Sequence, residues 1–210
     1  MIVTEIRPQR RDTGKYNIFI DGEYAFALPP TDIAYFKIKE DHELKQETYD
    51  FIQENLIYIK AQDTALNYIG YKMRTEQQVR EKLIEKEFSE KNIEKVIAFL
   101  QKYNYINDRT YAKSYIKQRQ NSKPRSAFLL NRELKYKGVS EEVLQETFES
   151  VEIDEVEDAL FWVEKKSRGV WPLDQKKEKQ LIGFLQRKGY RYSIIKEAFA
   201  KMNDDVQQWG

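Results

Sequence analysis

The stretch LKYKGVSEEVLQETF, residues 134–148, has the pattern of a helix end, a turn through glycine and serine, and the start of a new helix. Two further stretches, residues 83–97 and 185–199, repeat this pattern at a spacing of 51 residues. Similarity at a fixed period of this size is typical of repeat architectures. The aligned positions that are apolar in all three stretches are Leu83, Leu134 and Leu185; Phe88, Val139 and Tyr190; Ile93, Leu144 and Ile195; and Ile97, Phe148 and Phe199.

A further helix precedes each of these stretches. Ala65, Ala112 and Ala159 recur every 47 residues, and each is followed four residues later by another apolar residue, as on one face of a helix. The repeated unit therefore has three helices. Because each repeat of such an array contacts only its neighbours, we expect the array to be elongated and curved. We predict a mainly α fold with a tandem array of three three-helix repeats at residues 61–104, 105–151 and 152–204, and a tail at residues 205–210.

Polar residues at the expected helix starts agree with this division. Thr75 and Gln78 have the spacing of a capping box, in which two side chains satisfy the free amide groups of a first helical turn. Other residues of good N-cap type precede predicted helices: Ser89, Ser140 and the pair Asn107-Asp108.

Glycines mark the turns between the second and third helices of two repeats. Gly138 and Gly189 stand where a helix ends through a residue in the left-handed conformation. The first repeat has Glu87 at the matching position. A side chain in that conformation costs about 1 kcal/mol, so this turn either differs from the other two or is strained.

The first 60 residues have a different pattern, with short apolar and aromatic runs that are typical of strands. The segment at residues 15–28 places two such runs around Asp21-Gly22, and an Asp-Gly pair is a strong hairpin signal. With residues 2–6 as another strand and Arg10–Gly14 as its turn, we predict a small three-stranded antiparallel element. Because three strands are marginally stable alone, we expect it to pack on the helix that begins near Gln46.

The composition excludes several classes of protein. The 210 residues contain no cysteine and a single histidine, which removes disulfides, thiolate metal sites and cysteine nucleophiles. Neither a G-x-G-x-x-G motif nor a nucleotide-binding P-loop is present. We therefore expect no enzymatic activity, no cofactor and no metal. No signal-peptide pattern and no apolar run near the roughly 18 residues of a membrane span occur, so we expect a cytoplasmic protein.

Charge is concentrated in one segment although the net charge is only +1. Arg109–Lys137, called the basic segment below, contains nine basic residues and a single acidic residue, Glu133. Such a field attracts phosphates or acidic protein surfaces, and it favours a binding surface over an ordinary solvated face. The residues that we predict to bind a partner are Lys113, Lys117, Arg119, Lys123, Arg125, Arg132 and Lys135, together with Arg74 and Arg80 of the first repeat.

At this point the motifs resemble those of a known family, the bacterial RecX regulatory proteins. The run Tyr105-Ile106-Asn107-Asp108, followed by Tyr111-Ala112, Tyr115 and Arg119, is similar to a RecX signature. Glu133-Leu134, with Lys137-Gly138-Val139, resembles a second motif of the family, and Arg74-Thr75 with Val79 and Lys82-Leu83 resembles the corresponding motif of its first repeat. The hairpin with Asp21-Gly22 is similar to the N-terminal extension of Gram-positive members.

The resemblance implies a non-enzymatic modulator of the RecA recombinase, acting in recombinational DNA repair and the SOS response. RecX proteins bind the RecA filament on single-stranded DNA and inhibit its DNA-dependent ATPase, strand-exchange and co-protease activities. On this basis we expect a monomer whose basic segment meets acidic RecA surface or the DNA phosphates within the filament.

A direct DNA-binding protein built from tandem three-helix units is the alternative. The segment at residues 140–149, the third helix of the middle repeat, contains four glutamates and no arginine or lysine that could contact bases. This composition disfavours base recognition by that helix.

Overall fold

A three-stranded antiparallel sheet begins the chain, as predicted. Strands β1 (Val3–Pro8), β2 (Tyr16–Ile20) and β3 (Glu23–Leu28) pair in chain order. The computed structural model describes residues 1–9 and 14–209, with side chains up to residue 204, so the turn predicted at Arg10–Gly14 lies, at residues 10–13, outside the described residues. The Asp21-Gly22 turn has φ values of 50° and 86°, which confirms the predicted hairpin.

The sheet packs on the helices that follow it, as expected for so small an element. Ile18 and Phe26 of the sheet are buried in one core with Ile52 and Ile57. The helical elements that follow the sheet are α1 (Pro30–Tyr35), α2 (Gln46–Ile52), a π-helical turn (Gln53–Ile57) and α3 (Tyr58–Gly70). The π-helical turn places the Gln53 side chain inward, where its amide oxygen accepts a 2.9 Å hydrogen bond from the Asn92 side chain.

From α3 onward the structure is helical, in groups of three helices. The remaining helices are α4 (Glu76–Glu85), α5 (Glu90–Lys102), α6 (Asp108–Ser122), α7 (Ala127–Tyr136), α8 (Glu141–Glu149), α9 (Glu155–Ser167), α10 (Gln175–Arg187) and α11 (Tyr192–Trp209). The mainly α fold with three-helix units is therefore confirmed, whereas the exact repeat limits and the curvature of the array stay predictions. Among the described helices, none is both long and apolar enough to cross a membrane.

The repeated apolar positions form the cores of these helix groups. Leu83, Leu134 and Leu185, which defined the repeat, are fully buried. They lie in separate cores: one belongs to the unit Met1–Ile106, and the other two belong to the unit Asn107–Gly210. The repeat spacing in the sequence thus corresponds to a recurring packing position.

Most of the predicted helix caps are present. Thr75 and Gln78 form the capping box, and the Ser140 hydroxyl accepts a 3.3 Å hydrogen bond from the amide of residue 143. Asn107 alone is the N-cap of α6, because Asp108 is already its first helical residue. Ser89 occupies the N-cap position of α5 without a side-chain capping bond.

The sequence left open whether the turn at Glu87 differs from the other two turns or is strained, and its backbone conformation decides between these. Glu87 has φ 61°, while Gly138 and Gly189 have φ values of 86° and 89°. The first repeat therefore adopts a left-handed turn residue like the other two repeats, and its side chain strains the backbone.

Candidate functional site: the basic surface of the second unit

The basic segment extends over α6, a short connector and α7. Lys113 and Lys117 project from α6 and are exposed, as is Lys123 in the connector. These three lysines form no ion pair with any residue that the structure describes. They are therefore the predicted binding residues whose charges are best available to a partner.

Two of the predicted arginines are held by an internal carboxylate. Glu133, half-buried on α7, pairs with Arg125 and accepts a 2.7 Å hydrogen bond from the Tyr115 hydroxyl. Arg119 lies 3.9 Å from the Glu133 carboxylate and donates a 3.0 Å hydrogen bond to the Tyr115 hydroxyl. The single acid of the basic segment thus orders Arg119 and Arg125, and part of their charge is neutralised.

The remaining predicted residues have local partners. Arg132 lies over the Phe128 ring at 5.9 Å, and Lys135 pairs with Glu141 at 2.5 Å. Exposed contacts of this kind contribute little to stability and can be exchanged for a partner's groups.

The two candidates in the first unit are less available. Arg74 stacks on the Tyr68 ring at 4.0 Å. Arg80 pairs with Glu94 and with Glu76, at 2.7 Å for the latter, and these hydrogen bonds raise its pKa. An arginine paired with two carboxylates on its own surface has a weaker attraction for a further anion.

Sequence reasoning missed two lysines of the third helix group. Lys188 follows α10, and its ammonium lies 4.5 Å from the centroid of the buried Trp162 ring. Lys166, on α9, lies 4.9 Å from the Phe184 ring centroid. The recurrence of lysine at positions 86, 137 and 188, at the period of the repeat, is the sequence signal that could have drawn attention to Lys188.

Lys188 lies next to the basic segment, because the Ser126 amide donates a hydrogen bond to its backbone carbonyl. Burial lowers the pKa of Lys188, and the charges of nearby cations lower it further. We call Lys188 and the cations whose charges act on it the junction cluster; its members are Arg119, Lys123, Arg125, Lys166 and Lys188.

Backbone contacts hold the connector against the third helix group. The Trp162 indole donates a 2.8 Å hydrogen bond to the carbonyl of Pro124, and the Ser126 amide donates to the carbonyl of Lys188 at 3.3 Å. The amide of Ala127 donates to the Glu155 carboxylate at 2.7 Å. These hydrogen bonds therefore order the backbone that carries the connector cations of the junction cluster.

Comparison with known protein families identifies the chain. Family models for RecX match it at residues 1–45 (N-terminal domain), 61–100, 107–147 and 152–199 (first, second and third three-helix domains). The chain belongs to the RecX family of regulatory proteins.

Curated relatives and solved structures agree with this assignment. The chain is 32% identical to a regulatory protein RecX of Bacillus velezensis over 97% of its own length and 79% of the relative, and 31% identical to that of Clostridioides difficile over 96% and 95%. A crystal structure of regulatory protein RecX matches with TM-score 0.61 and 26% identity, covering 93% of this chain and 98% of that one. RecX from Lactobacillus salivarius matches with TM-score 0.62 and 25% identity, over 70% and 96%.

Proposed function

We propose that this RecX-family chain binds the RecA nucleoprotein filament and inhibits its recombinase, DNA-dependent ATPase and co-protease activities. In this way it modulates recombinational repair and the SOS response. It does so by surface binding alone, in the cytoplasm and as a monomer. The observation that carries the proposal is the pair of exposed lysines Lys113 and Lys117, called the lysine row below, which form no ion pair with any described residue of a chain that belongs to a family of regulatory proteins.

The lysine row supports attraction of a negatively charged partner. Lys113 and Lys117 are one helical turn apart on α6, so their ammonium groups project from the same face. A row of exposed cations speeds association with acidic protein surface or DNA phosphates, and salt screens it. Inhibition should therefore weaken as ionic strength rises.

Titration of the protein into a RecA ATPase assay on single-stranded DNA tests the proposal. We expect inhibition at stoichiometric or lower ratios to RecA. Absence of inhibition at these ratios would overturn the proposed function. A gel shift on naked single- and double-stranded DNA tests the alternative, because tight, salt-sensitive binding without RecA would favour a direct DNA-binding protein.

Charge-reversal variants test the site. Lys113→Glu combined with Lys117→Glu should weaken inhibition while leaving the helical circular dichroism spectrum intact. Lys91→Glu combined with Lys196→Glu, at exposed positions on α5 and α11, is the charge-matched control. Equal inhibition by both double variants would show that the lysine row is an ordinary solvated face.

A further inference from the structure

A cavity of about 500 Å³ opens in the third helix group, between the end of α9 and the first turns of α10. Its inner wall is apolar and includes Leu181 and Phe184. Its rim is basic, with the exposed side chains of Lys166, Arg168 and Lys177, of which Lys177 pairs with Asp174 at 3.4 Å. Among the described residues that line it, none is a carboxylate. The cavity is of a size that accommodates bulky groups.

The cavity adjoins the junction cluster through one shared ring. Phe184 lines the cavity, and both Lys166 and Lys188 place their ammonium groups near its ring, at 4.9 Å and 5.6 Å from the centroid. The apolar cavity and the positive charge therefore form one continuous surface within the unit Asn107–Gly210.

The chemistry of this surface disfavours a nucleobase as the occupant. The Phe184 ring already contacts the two lysine ammonium groups and Trp162, whose ring meets it edge-on at 5.3 Å. Base stacking on single-stranded nucleic acid needs an open aromatic face. The Ser167 hydroxyl donates to the carbonyl of Glu164, so it is committed to its own helix.

The same features suit a peptide. An apolar side chain fits the inner wall, and carboxylates on either side of it meet the basic rim and the junction cluster, where apolar surroundings strengthen charge pairing. We propose that the cavity and the junction cluster bind an acidic peptide segment of a partner protein, with a bulky apolar side chain flanked by carboxylates. This deepens the proposed function, on which it rests for the existence of a protein partner.

Site-specific photocrosslinking tests the identity of the occupant. A benzophenone side chain is introduced at Gln180, an exposed position that lines the cavity, and separately at Lys196 on α11 as a control. Each protein is irradiated with filaments of purified RecA on oligothymidine, and the crosslinked fragment is identified by mass spectrometry.

We expect the crosslink from position 180 to fall on a RecA segment that contains carboxylates next to a bulky apolar residue. A crosslink to the oligonucleotide, or to a segment without carboxylates, would overturn the proposal. So would a yield no higher than that from position 196. ATPase inhibition is measured in the same samples: if inhibition persists, only the peptide site is wrong, and if it is absent, the proposed function fails as well.

Two test variants and one control variant provide a second readout. Lys166→Glu reverses a charge shared by the cavity and the cluster, and Lys179→Glu, at an exposed position on α10, is its charge-matched control. Arg168 has φ 53°, so Arg168→Gly removes a rim charge while relieving backbone strain. Loss of stability cannot then explain weaker binding by this variant.

We expect Lys166→Glu to raise the concentration for half-maximal inhibition about tenfold, and Arg168→Gly to raise it several-fold, while Lys179→Glu changes it by less than about twofold. Equal inhibition by Lys166→Glu and Lys179→Glu would overturn the proposal.

Discussion

The indole N–H of Trp162 donates a 2.8 Å hydrogen bond to the carbonyl oxygen of Pro124, and both residues are buried. This bond joins the connector of the second helix group to the first helix of the third. It also orders the segment that carries Lys123 and Arg125. This hydrogen bond therefore helps to fix the backbone of the connector, while the Glu133 carboxylate holds the Arg125 side chain.

Trp162→Phe should destabilise the fold by about 2 kcal/mol. The change removes the donor and leaves a buried carbonyl without its partner, which costs about 1–3 kcal/mol. Urea denaturation followed by circular dichroism measures the loss. Trp171→Phe is the matched control, because the Trp171 indole donates to the exposed Asn203 side chain, where water can replace it. Equal losses in the two variants would contradict the prediction.

Gly189→Ala should destabilise the fold more than Gly169→Ala. Both glycines have positive φ, 89° and 76°, so alanine strains the backbone at either position. A Cβ at Gly189 would also come within 2.3 Å of the Ser126 hydroxyl, whereas a Cβ at Gly169 would meet no atom of a described residue within 4 Å. That hydroxyl caps α7 by accepting from the amide of residue 129 at 3.2 Å. We expect about 1–3 kcal/mol of extra loss from this overlap, measured as a difference in unfolding free energy.

Glu87→Gly should stabilise the protein by about 1 kcal/mol, because glycine adopts the left-handed conformation without a Cβ penalty. The variant loses an exposed hydrogen bond between Gln9 and the Glu87 carboxylate but keeps the backbone carbonyl that accepts from the Tyr24 hydroxyl at 3.3 Å. Glu87→Ala provides the control, since it removes the carboxylate and keeps the strain. A glycine variant no more stable than the alanine variant would show that the turn is unstrained.

The stability of the second unit should depend on the protonation of Asp158. Burial raises the pKa of this half-buried carboxyl from 3.8 to about 6, and the negative charges of Asp154 and Glu155 add to the effect. The folded state therefore holds the proton more tightly than the unfolded state. Stability should fall as pH rises from about 4 to about 6, and stay lower above that.

Asp158→Asn should remove this pH dependence and raise stability near neutral pH by about 1 kcal/mol, a figure reduced for the partial exposure of the group. Thermal unfolding at a series of pH values is the measurement. Asp154→Asn is the contrasting variant, because the Asp154 carboxylate caps α9 by accepting from two amides at 3.0 Å. Asparagine also caps well, so this change should leave the caps intact and alter stability less. An unchanged pH profile in Asp158→Asn would contradict the assignment.

Much of the fold followed from local pattern. The Asp21-Gly22 hairpin, the Thr75 capping box and the left-handed glycine at position 138 each depend on residues that are near in sequence. The buried leucine positions followed from a period that the chain repeats, because equivalent helices bury equivalent faces. The π-helical turn at Gln53–Ile57 was not predicted, and the buried hydrogen bond of its Gln53 joins Asn92, a residue distant in the sequence.

The binding site was less predictable. The sequence showed where positive charge accumulates, and Lys113 and Lys117 are indeed exposed. It could not show that Glu133 holds Arg119 and Arg125, because that arrangement needs α6, the connector and α7 to be folded together.

The amino-acid sequence by itself determined the repeat, its helices, its turns and its family, because these depend on local backbone preference and on a recurring apolar spacing. Tertiary structure alone decided which cations meet. Lys188 comes near Lys123 because the Trp162 indole and the amide of Ser126 bind the connector to residues that are distant in the sequence. Burying the indole N–H and the connector's backbone groups without hydrogen-bond partners would cost free energy, which favours this arrangement of the connector. No local sequence pattern indicates it.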